Sequence, residues 1–415
     1  MGSKVIRNVT KILKATSGRL FGRVTSGTGR AEELTPSDVR TLIAFDESVD
    51  DRVSALLAAG TNISITYNDA SNTLTIASTA GGLSGTGSVD NAALRADGTG
   101  GSTLQNSSWI INDNLTASPN NTVNHACLEA TGGTTNVSVS IKPKGTGAFC
   151  LSAPDGTSTG GNVRGANSVD LQTTRSAANQ VASGDGSFLS GRRSRASGVS
   201  SFCFGDDSVA SAQYSIAIGC FDNATGYAAM CIGINGVASG SQSACMSWGS
   251  AGSSATGADS CAMGDLALAD RTDLFAYANG AFAASGDAQK VRIVLRNKTT
   301  SATPVTLFSN GASTRLTIPS GKILFADLLI SGVKSDGSAA ACYKRKVAIK
   351  NVGGTTTLVG SVETIGTDIE DNASTDVAIT ADDTNDALQI NVTGITSETW
   401  RWVAVVEGLE IAYGT

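Results

Sequence analysis

Side chains that could carry out chemistry are few in this sequence. It has a single histidine, His125, so a Ser-His-Asp triad or a histidine-based metal site would have to use that residue. The polar stretch around it, residues 121–126, is more typical of an ordinary surface or interstrand histidine. No phosphate-binding loop, GxSxG turn or HExxH helix occurs. The sequence therefore predicts a non-enzymatic chain with no catalytic residue, cofactor or metal.

One acidic cluster could hold paired carboxylates. Residues 363–386 hold eight acids and no base, and Asp382, Asp383 and Asp386 fall in one turn-like stretch. Paired carboxylates can cut a polysaccharide, and oxygen ligands can form a weak Ca²⁺ site, although the EF-hand spacing is missing. The third interpretation, and the one we favour, is a solvated loop.

Two tryptophans near the end of the sequence are a candidate receptor contact. Trp400 and Trp402 alternate with Arg401, and exposed indoles can stack on sugars. Two residues that share one face of a strand more often belong to the core. Both interpretations are kept until the strand can be placed.

The composition limits the class of protein. Glycine makes up 48 of 415 residues, aromatic residues 5% and charged residues 16%, while hydrophobic residues reach 40%. Disorder is therefore not indicated, and the many small residues favour narrow, tightly wound β-structure. The basic residues form no patch interleaved with aromatics, which argues against nucleic-acid binding. No segment approaches the ~20 apolar residues of a membrane span, so no membrane insertion is expected.

Charge and cysteines suggest where the chain is made and how it docks. Residues 1–30 hold seven basic and no acidic residues, whereas the net charge is −6. This start is either a docking arm for an acidic partner or a solvated terminus. Val5–Leu13 is too polar for a signal peptide, and none of the eight cysteines forms a CxxC pair. We expect buried free thiols and synthesis in a reducing cytoplasm.

A seven-residue repeat is the strongest pattern in the sequence. Its turn glycines are Gly184, Gly191, Gly198, Gly205, Gly219, Gly226, Gly233 and Gly240. A small residue stands two positions before most of them, and the predicted repeat core is Ala182, Ala196, Cys203, Ala217, Ala224, Cys231 and Ala238. A glycine in every heptad would cost a helix about 1 kcal/mol each, so this is no coiled coil. The local alternation predicts short strands, with two units forming one 14-residue coil of a solenoid.

The remaining elements complete an elongated, mainly β chain. Helix signals lie at residues 35–60 and a β-hairpin at 62–77, and nine strands of residues 286–415 predict a β-sandwich of jelly-roll type. A solenoid this thin buries little apolar area per chain, which favours three chains sharing a core. The predicted domains are a basic arm (1–30), short helices and a hairpin (31–80), a β-rich shaft (81–181), the repeat (182–285) and a C-terminal sandwich (286–415).

The repeat resembles the head of trimeric autotransporter adhesins, a trimeric left-handed β-roll. The resemblance rests on the phased glycines, on the small residues two before them and on residues 215–219, Ser-Ile-Ala-Ile-Gly. It covers about a fifth of the chain. Those adhesins also have a secretion signal and an outer-membrane barrel, for which this sequence shows no pattern.

Other stretches are similar to phage tail fibres. These stretches are residues 30–40, 51–53, 60–69, 90–98, 142–147 and the block 286–415. The resemblance implies a homotrimer in the phage virion, attached by its N terminus to tail, baseplate or adaptor proteins. Its distal end would meet a host receptor, with polysaccharide as one alternative. A capsid-attached structural fibre remains the alternative function, and a polysaccharide-degrading tailspike ranks lower.

Overall fold

The structure, a computed structural model, describes residues 20–61, 63–78, 92–96, 104–112, 127–130, 136 and 138–414. Of residues 45–47, 92–96, 104–112 and 127–130 only the backbone is described. His125 lies outside the described residues, so its predicted surface role stays a prediction. The chain forms two compact units, residues 1–140 and 141–415, which are described separately.

The first unit contains both described α-helices. Strands β1 (Leu20–Gly22) and β2 (Glu32–Leu34) pair antiparallel, and helices α1 (Pro36–Leu42) and α2 (Phe45–Leu56) follow. A capping box starts α1, because the Thr35 hydroxyl accepts the Asp38 N–H at 3.1 Å and the Asp38 carboxylate accepts the Thr35 N–H at 2.8 Å.

Two small antiparallel sheets complete this unit. Strands β3 (Ile63–Asn68) and β4 (Thr73–Ser78) form a hairpin around a short 3₁₀ turn. Strands β5 (Ala92–Ala96), β6 (Leu104–Asn112) and β7 (Cys127–Ala130) form the other sheet. The α2 stripe of Val49, Val53 and Leu56 stays exposed, so the described part of the unit does not bury it.

Stacked parallel strands build a solenoid at the start of the second unit. Its long face comprises β8 (Phe149–Cys150), β9 (Val169–Asp170), β10 (Phe188–Arg192), β12 (Phe202–Asp206), β14 (Ile216–Cys220), β16 (Met230–Ile234), β18 (Ala244–Ser247), β20 (Cys261–Asp265) and β22 (Phe275–Asn279). Its short face comprises β11 (Arg195–Ala196), β13 (Val209–Ala210), β15 (Asn223–Ala224), β17 (Val237–Ala238), β19 (Ser254–Ala255) and β21 (Leu268–Ala269).

The register of the stack follows the sequence repeat. Cys203 pairs with Ala217, Ala217 with Cys231 and Cys231 with Cys245, so each coil adds 14 residues. One coil is longer, because Cys245 pairs with Ala262, and its three extra residues form a loop after β18. This insertion explains why the glycine period loosens after Gly240. The stack also begins at β8, before the regular repeat, where the coils are irregular.

A large and a small sheet form the C-terminal domain. The large sheet has four long strands, in the spatial order β27 (Ala340–Val352), β26 (Lys322–Lys334), β33 (Trp400–Ala412) and β23 (Ala288–Thr299). Strands β28 (Thr355–Leu358), β29 (Glu363–Thr364) and β30 (Ile369–Glu370) lie along its β27 edge. The small sheet consists of β24 (Val305–Thr306), β25 (Leu316–Thr317), β31 (Asp376–Asp382) and β32 (Ala387–Thr393).

The solenoid and the large sheet are one continuous sheet. The last coil pairs with the domain where β22 meets β23 antiparallel, from Phe275 opposite Arg292 to Tyr277 opposite Lys290. The inner face of the large sheet packs with the small sheet in one buried apolar cluster that also contains the solenoid interior. The expectation of a mainly β chain with few helices and a β-solenoid is confirmed for the described residues.

Candidate functional site

The repeat glycines lie at two kinds of corner. Gly191, Gly205, Gly219 and Gly233 end the long strands with φ between 132° and 143°, a region that other residues rarely adopt. At the other corner, a side chain on Gly226 would overlap the carbonyl oxygen of Gly240 in the next coil. Gly184, Gly198 and Gly240 face the next coil in the same way. Glycine therefore sets the close approach of successive coils.

Each corner continues with a left-handed residue that the sequence analysis did not single out. Two positions after the repeat glycine stand Arg193, Ser200, Asp207, Tyr214, Phe221, Ala228, Asn235 and Gln242, with φ between 50° and 61°. Asparagine and aspartate tolerate αL best among residues with a side chain, but only Asp207 and Asn235 follow that preference here. The residue type at this position therefore varies more than at the glycine position. The resulting corners display side chains that the core does not constrain.

The small residues of the predicted repeat core fill the solenoid interior. Ala182, Ala196, Cys203, Ala217, Ala224, Cys231 and Ala238 are all fully buried within one chain. The chain therefore closes its own bore, and any contact between copies must use another surface. Burial raises the pKa of Cys203 to about 11, so this thiol stays protonated at neutral pH.

A ladder of buried hydroxyl groups joins consecutive coils, and the sequence analysis missed it. Ser194 Oγ donates to the Gly205 carbonyl at 3.0 Å and accepts the Ser208 N–H at 3.1 Å. Ser208 Oγ repeats this one coil later, donating to Gly219 and accepting from Asp222 N. The serine recurring three residues after the glycine position was the available signal. The ladder satisfies backbone groups that would otherwise be buried without partners.

Asp222 interrupts the hydroxyl ladder with a buried carboxylate. Its Oδ1 accepts the Gly236 N–H at 2.8 Å, while its buried Oδ2 has no hydrogen-bond partner. Burial raises the pKa of Asp222 above its ordinary value, with hydrogen bonds from Gly236, Cys231 and Gly233 opposing the shift. The carboxylate thus replaces a serine at a small cost in stability at neutral pH.

A buried polar cluster closes the first end of the solenoid. Asp170 is held by Arg164 at 2.7 Å and Arg175 at 3.1 Å, and all three side chains are almost fully buried. Beside them, the Gln172 amide accepts the Ser194 N–H at 2.8 Å and donates to the Ser194 carbonyl at 3.2 Å. The Gln172 side chain therefore makes the two hydrogen bonds to the Ser194 backbone that a further short strand would otherwise make.

The other end of the solenoid is closed by the same chemistry. The Gln289 amide accepts the Leu268 N–H at 2.9 Å and donates to the Leu268 carbonyl at 3.0 Å. Buried Glu410 accepts from Gln289 at 2.8 Å and pairs with Arg271 at 2.6 Å and Lys322 at 2.8 Å. Burial acts to raise the pKa of Glu410, but the Arg271 and Lys322 charges lower it below its ordinary value. Unpaired sheet edges invite aggregation, and the two glutamines remove such an edge at both ends of the short face.

Trp400 and Trp402 lie in the core of the C-terminal domain. Their exposed fractions are 0% and 1%, and their rings stack with centroids 5.7 Å apart. Trp400 donates its indole N–H to Glu398 at 2.9 Å, and Trp402 donates to Thr299 at 3.1 Å. Of the two interpretations, the structure supports the core, and neither ring is available to a sugar.

The three carboxylates of the Ca²⁺ candidate are all bound by protein groups, and two of them accept hydrogen bonds from the same residue, Thr356. Asp382 pairs with Arg315 at 3.4 Å and accepts from Asn385, Asp383 accepts the Thr356 N–H at 2.6 Å, and Asp386 accepts the Thr356 hydroxyl at 2.8 Å. Within the described residues no group of three histidine, cysteine or carboxylate side chains could hold a metal ion. Over the same residues, no helix is both long and apolar enough to cross a membrane.

The outward face of the large sheet is uncovered and apolar. We call it the outer face, and its exposed apolar side chains are Val294, Phe325, Leu329, Val333, Val359, Ile365, Ile369, Val403 and Leu409. One row of charged residues crosses it, namely Arg292, Glu407, Asp327, Lys346 and Glu363, which lie side by side on adjacent strands. The face continues onto the solenoid, where Phe275 and Tyr277 oppose Arg292 and Lys290.

Two shallow hollows flank this charged row. One is lined by Phe325, Val359 and Leu409, and the other by Leu329, Ile365 and Val405. Both share Asp327, Lys346 and Glu407, so the charged row forms the ridge between them.

A third hollow lies where the last coils meet the C-terminal domain. Asp259 and Asp273, the αL residues of two consecutive coils, form one wall with Phe275. Arg292, Arg296 and Ser309 form the opposite wall. Neighbouring coils are ~4.8 Å apart, so Asp259 and Asp273 occupy equivalent positions of adjacent coils, and both line this hollow together with Arg292 and Arg296.

Comparison with known proteins gives weak structural matches. No protein-family model matches the chain, and no curated protein sequence does. The chain is similar to the tailspike protein gp49 of Acinetobacter baumannii bacteriophage Fri1, a capsular polysaccharide depolymerase, with 9% identity and a TM-score of 0.22 over 55% of this chain and 44% of that one.

Two further tailspikes are similar to the same degree. The Acinetobacter phage vB_ApiP_P1 tailspike has 11% identity and a TM-score of 0.19 over 55% of this chain and 51% of that one. The Acinetobacter baumannii phage AM24 tailspike has 10% identity and a TM-score of 0.20, covering 50% and 45%. The chain thus spans about half the length of these proteins, and no residue role is transferred from them.

These matches correct the prediction that the chain is not an enzyme. The similar solved structures are tailspikes, and the Fri1 protein is a capsular polysaccharide depolymerase. That negative prediction is therefore withdrawn. The capsid-attached alternative and the low rank of a tailspike are likewise not borne out by these matches.

Proposed function

We propose that this chain is a subunit of a phage tail fibre or tailspike that attaches the virion to the host surface. The observation that carries the proposal is a stiff β-rod of fixed length, closed at both ends by buried glutamine and carboxylate clusters and extended by one further domain. Such a rod sets a distance between its two ends. Three copies would form the fibre, attached to tail, baseplate or adaptor proteins through the basic N-terminal arm.

The exposed apolar surfaces support the oligomeric part of this proposal. Monomeric soluble proteins rarely expose contiguous apolar patches beyond roughly 300–600 Å². Within the residues that the structure describes, the α2 stripe in the first unit and the outer face in the second are both uncovered. Each needs a partner, and a homotrimer would supply both.

A corner of the solenoid is the surface best suited to a host saccharide. Tyr214 and Tyr227 lie on consecutive coils with ring centroids 5.7 Å apart at an interplanar angle of 80°, and both rings are half exposed. Exposed Gln213 and Gln242 flank them and offer amide donors and acceptors. Aromatic rings beside amides suit sugars, whose rings present an apolar face and polar hydroxyl groups.

Adsorption to host cells tests the proposed attachment. The labelled full-length chain should bind host cells and reduce phage infection by competition. Tyr214→Ala should weaken adsorption at least tenfold if the corner is the contact. Phe221→Ala is the matched control, because both rings are 48% exposed but lie at opposite corners. A full-length chain that neither adsorbs nor competes would contradict the proposed function.

Polysaccharide cleavage is a second candidate function, favoured by the hollow with Asp259 and Asp273. Retaining glycosidases hold two carboxylates ~5–5.5 Å apart, one as nucleophile and one as acid and base. The full-length chain should then release oligosaccharides from a host surface polysaccharide, and Asp273→Asn should abolish that release. The control is Asp207→Asn, an αL aspartate at the opposite corner. No release by the unaltered chain from the polysaccharides of a susceptible host would reject cleavage.

A further inference from the structure

We infer that the outer face of the large sheet is the surface on which copies of this chain meet, and that its charged row sets their register. This inference rests on the proposed function only for the number of copies, three. The sequence analysis expected three solenoid segments packed around an axis to share a core, and the inference places the contact on the C-terminal domain instead. The interior is filled by one chain alone, so it has no room for a partner.

Burial supports this assignment. The inner face of the same four strands is covered by the small sheet and buries Leu295, Leu328, Ile349 and Trp402. The outer face has no such cover among the described residues, yet it carries aliphatic and aromatic side chains at most outward positions of β26 and β33. Covering such residues stabilises a complex by about 25 cal/mol per Å² of apolar surface, before the costs of association.

The charge pattern indicates a second copy as the occupant. The outward positions of β23 carry Lys290, Arg292, Arg296 and Lys298, and those of β27 carry Lys344, Lys346 and Lys350. The acids Asp327 and Glu407 lie on the two central strands. The centre also carries Arg401, the β27 edge carries Glu363, and Lys290 already pairs with Glu407 within one chain. Bases still outnumber acids at the edges and acids outnumber bases at the centre, so the edges of one copy complement the centre of another. A lipid surface fits less well, because the charged row would lie in hydrocarbon.

The same pattern selects the symmetry of the contact. A two-fold face-to-face contact would place the acidic centre of one copy on the acidic centre of the next, which is repulsive. An offset contact places a basic edge on an acidic centre and leaves the two hollows beside the ridge to receive apolar side chains. Offset contacts of this heterologous kind form a closed ring when three successive rotations return to the first copy, and this is the case that the proposed trimer requires.

Sedimentation of full-length variants tests the inference. Val403→Glu should convert the oligomer into single chains and weaken association at least tenfold, because it buries a charge in the contact. Val199→Glu is the matched control, since both valines are 46% exposed but Val199 lies on a solenoid corner. It should keep the mass of the unaltered protein. The inference is overturned if the unaltered protein sediments as a single chain at micromolar concentration. It is also overturned if Val403→Glu keeps the full mass of the oligomer.

Lysine labelling of the unaltered protein gives an independent measurement that requires no substitution. Lys344 and Lys346 should be protected from acetylation in the oligomer, whereas exposed Lys144 should react. Equal labelling of the three lysines in the oligomer would overturn the inference. Protection of Lys344 and Lys346 in a protein that sediments as a single chain would also overturn it, because another segment of the same chain would then cover the outer face. A protein that oligomerises through this face but does not adsorb to cells would contradict the proposed function alone.

Discussion

The solenoid and the C-terminal domain share one sheet but exclude water by opposite means. The solenoid interior holds alanine, cysteine and serine, and its coils approach closely because glycine stands at the corners. The domain core holds Trp400, Trp402 and Tyr343 together with leucine and isoleucine. The first region should therefore be sensitive to added volume and the second to lost volume. Trp402→Ala and Gly205→Ala test that difference in volume, and Glu410→Gln and Asp222→Ser test the buried charge of each region, from the largest expected effect to the smallest.

Trp402→Ala should lower the free energy of unfolding most, by about 3–5 kcal/mol, because it leaves a large cavity beside Trp400 and Tyr343. Thermal unfolding of the full-length chain, followed by near-ultraviolet circular dichroism, measures the loss. Thr303→Ala is the control, since its exposed side chain lies in a loop of the same domain and should change stability little. A decrease in the free energy of unfolding of less than about 1 kcal/mol would show that the volume of the Trp402 side chain does not stabilise this core.

Glu410→Gln should cost about 3 kcal/mol or more, because it leaves the buried charges of Arg271 and Lys322 without their partner. The folded-state pKa of Glu410 lies below its unfolded value, so its stabilising contribution is present above the unfolded pKa and is lost as pH falls through the folded pKa. The difference between the unaltered protein and the variant should therefore shrink below pH ~4. Chemical denaturation at pH 7 and pH 3.5 measures the free energy of unfolding of the unaltered protein and of the variant. A difference in unfolding free energy that is the same at both pH values would show that the Glu410 charge is not the cause.

Gly205→Ala should cost about 3 kcal/mol, although it adds a single methyl group. The residue has φ 142°, and the methyl would overlap the Gly219 carbonyl oxygen in the next coil. Gly186→Asn is the control, since φ is 63° there, a side chain would meet only Ser200 Oγ at 3.6 Å, and Asn167 occupies the equivalent corner one coil earlier. Chemical denaturation should separate the two variants by at least ~2 kcal/mol. Equal stabilities would mean that the coils can move apart.

Asp222→Ser should stabilise the solenoid by about 1 kcal/mol, because a serine there restores the hydroxyl ladder and removes an unpaired buried oxygen. The folded-state pKa of Asp222 is raised above its unfolded-state value. Its destabilising effect on the fold is therefore absent below the unfolded-state pKa and is fully present once pH has risen through the folded-state pKa. The gain should thus be present at pH 7 and vanish near pH 3. Ser208→Asp is the reciprocal variant and should lose stability at pH 7. A gain that is independent of pH would contradict this explanation.

The sequence by itself determined the local elements of the second unit. Glycines in steps of seven, most of them two residues after a small residue, determined the 14-residue coil, because backbone conformation and coil spacing depend on neighbours along the chain. Alternation located the long strands of the C-terminal domain for the same reason. The recurring serine was also in the sequence, but its ladder became apparent only once Ser194 and Ser208 were stacked.

Only the tertiary structure decided which surfaces are closed and which are open. Gln289 meets Glu410 from 121 residues away, and no sequence period records such a contact. Trp400 and Trp402 had the same pattern as exposed rings until the small sheet was placed over them. The outer face likewise combines the hairpin of β26 and β27 with β23 and β33, which are distant in sequence, so its uncovered apolar surface and its charged row exist only after folding.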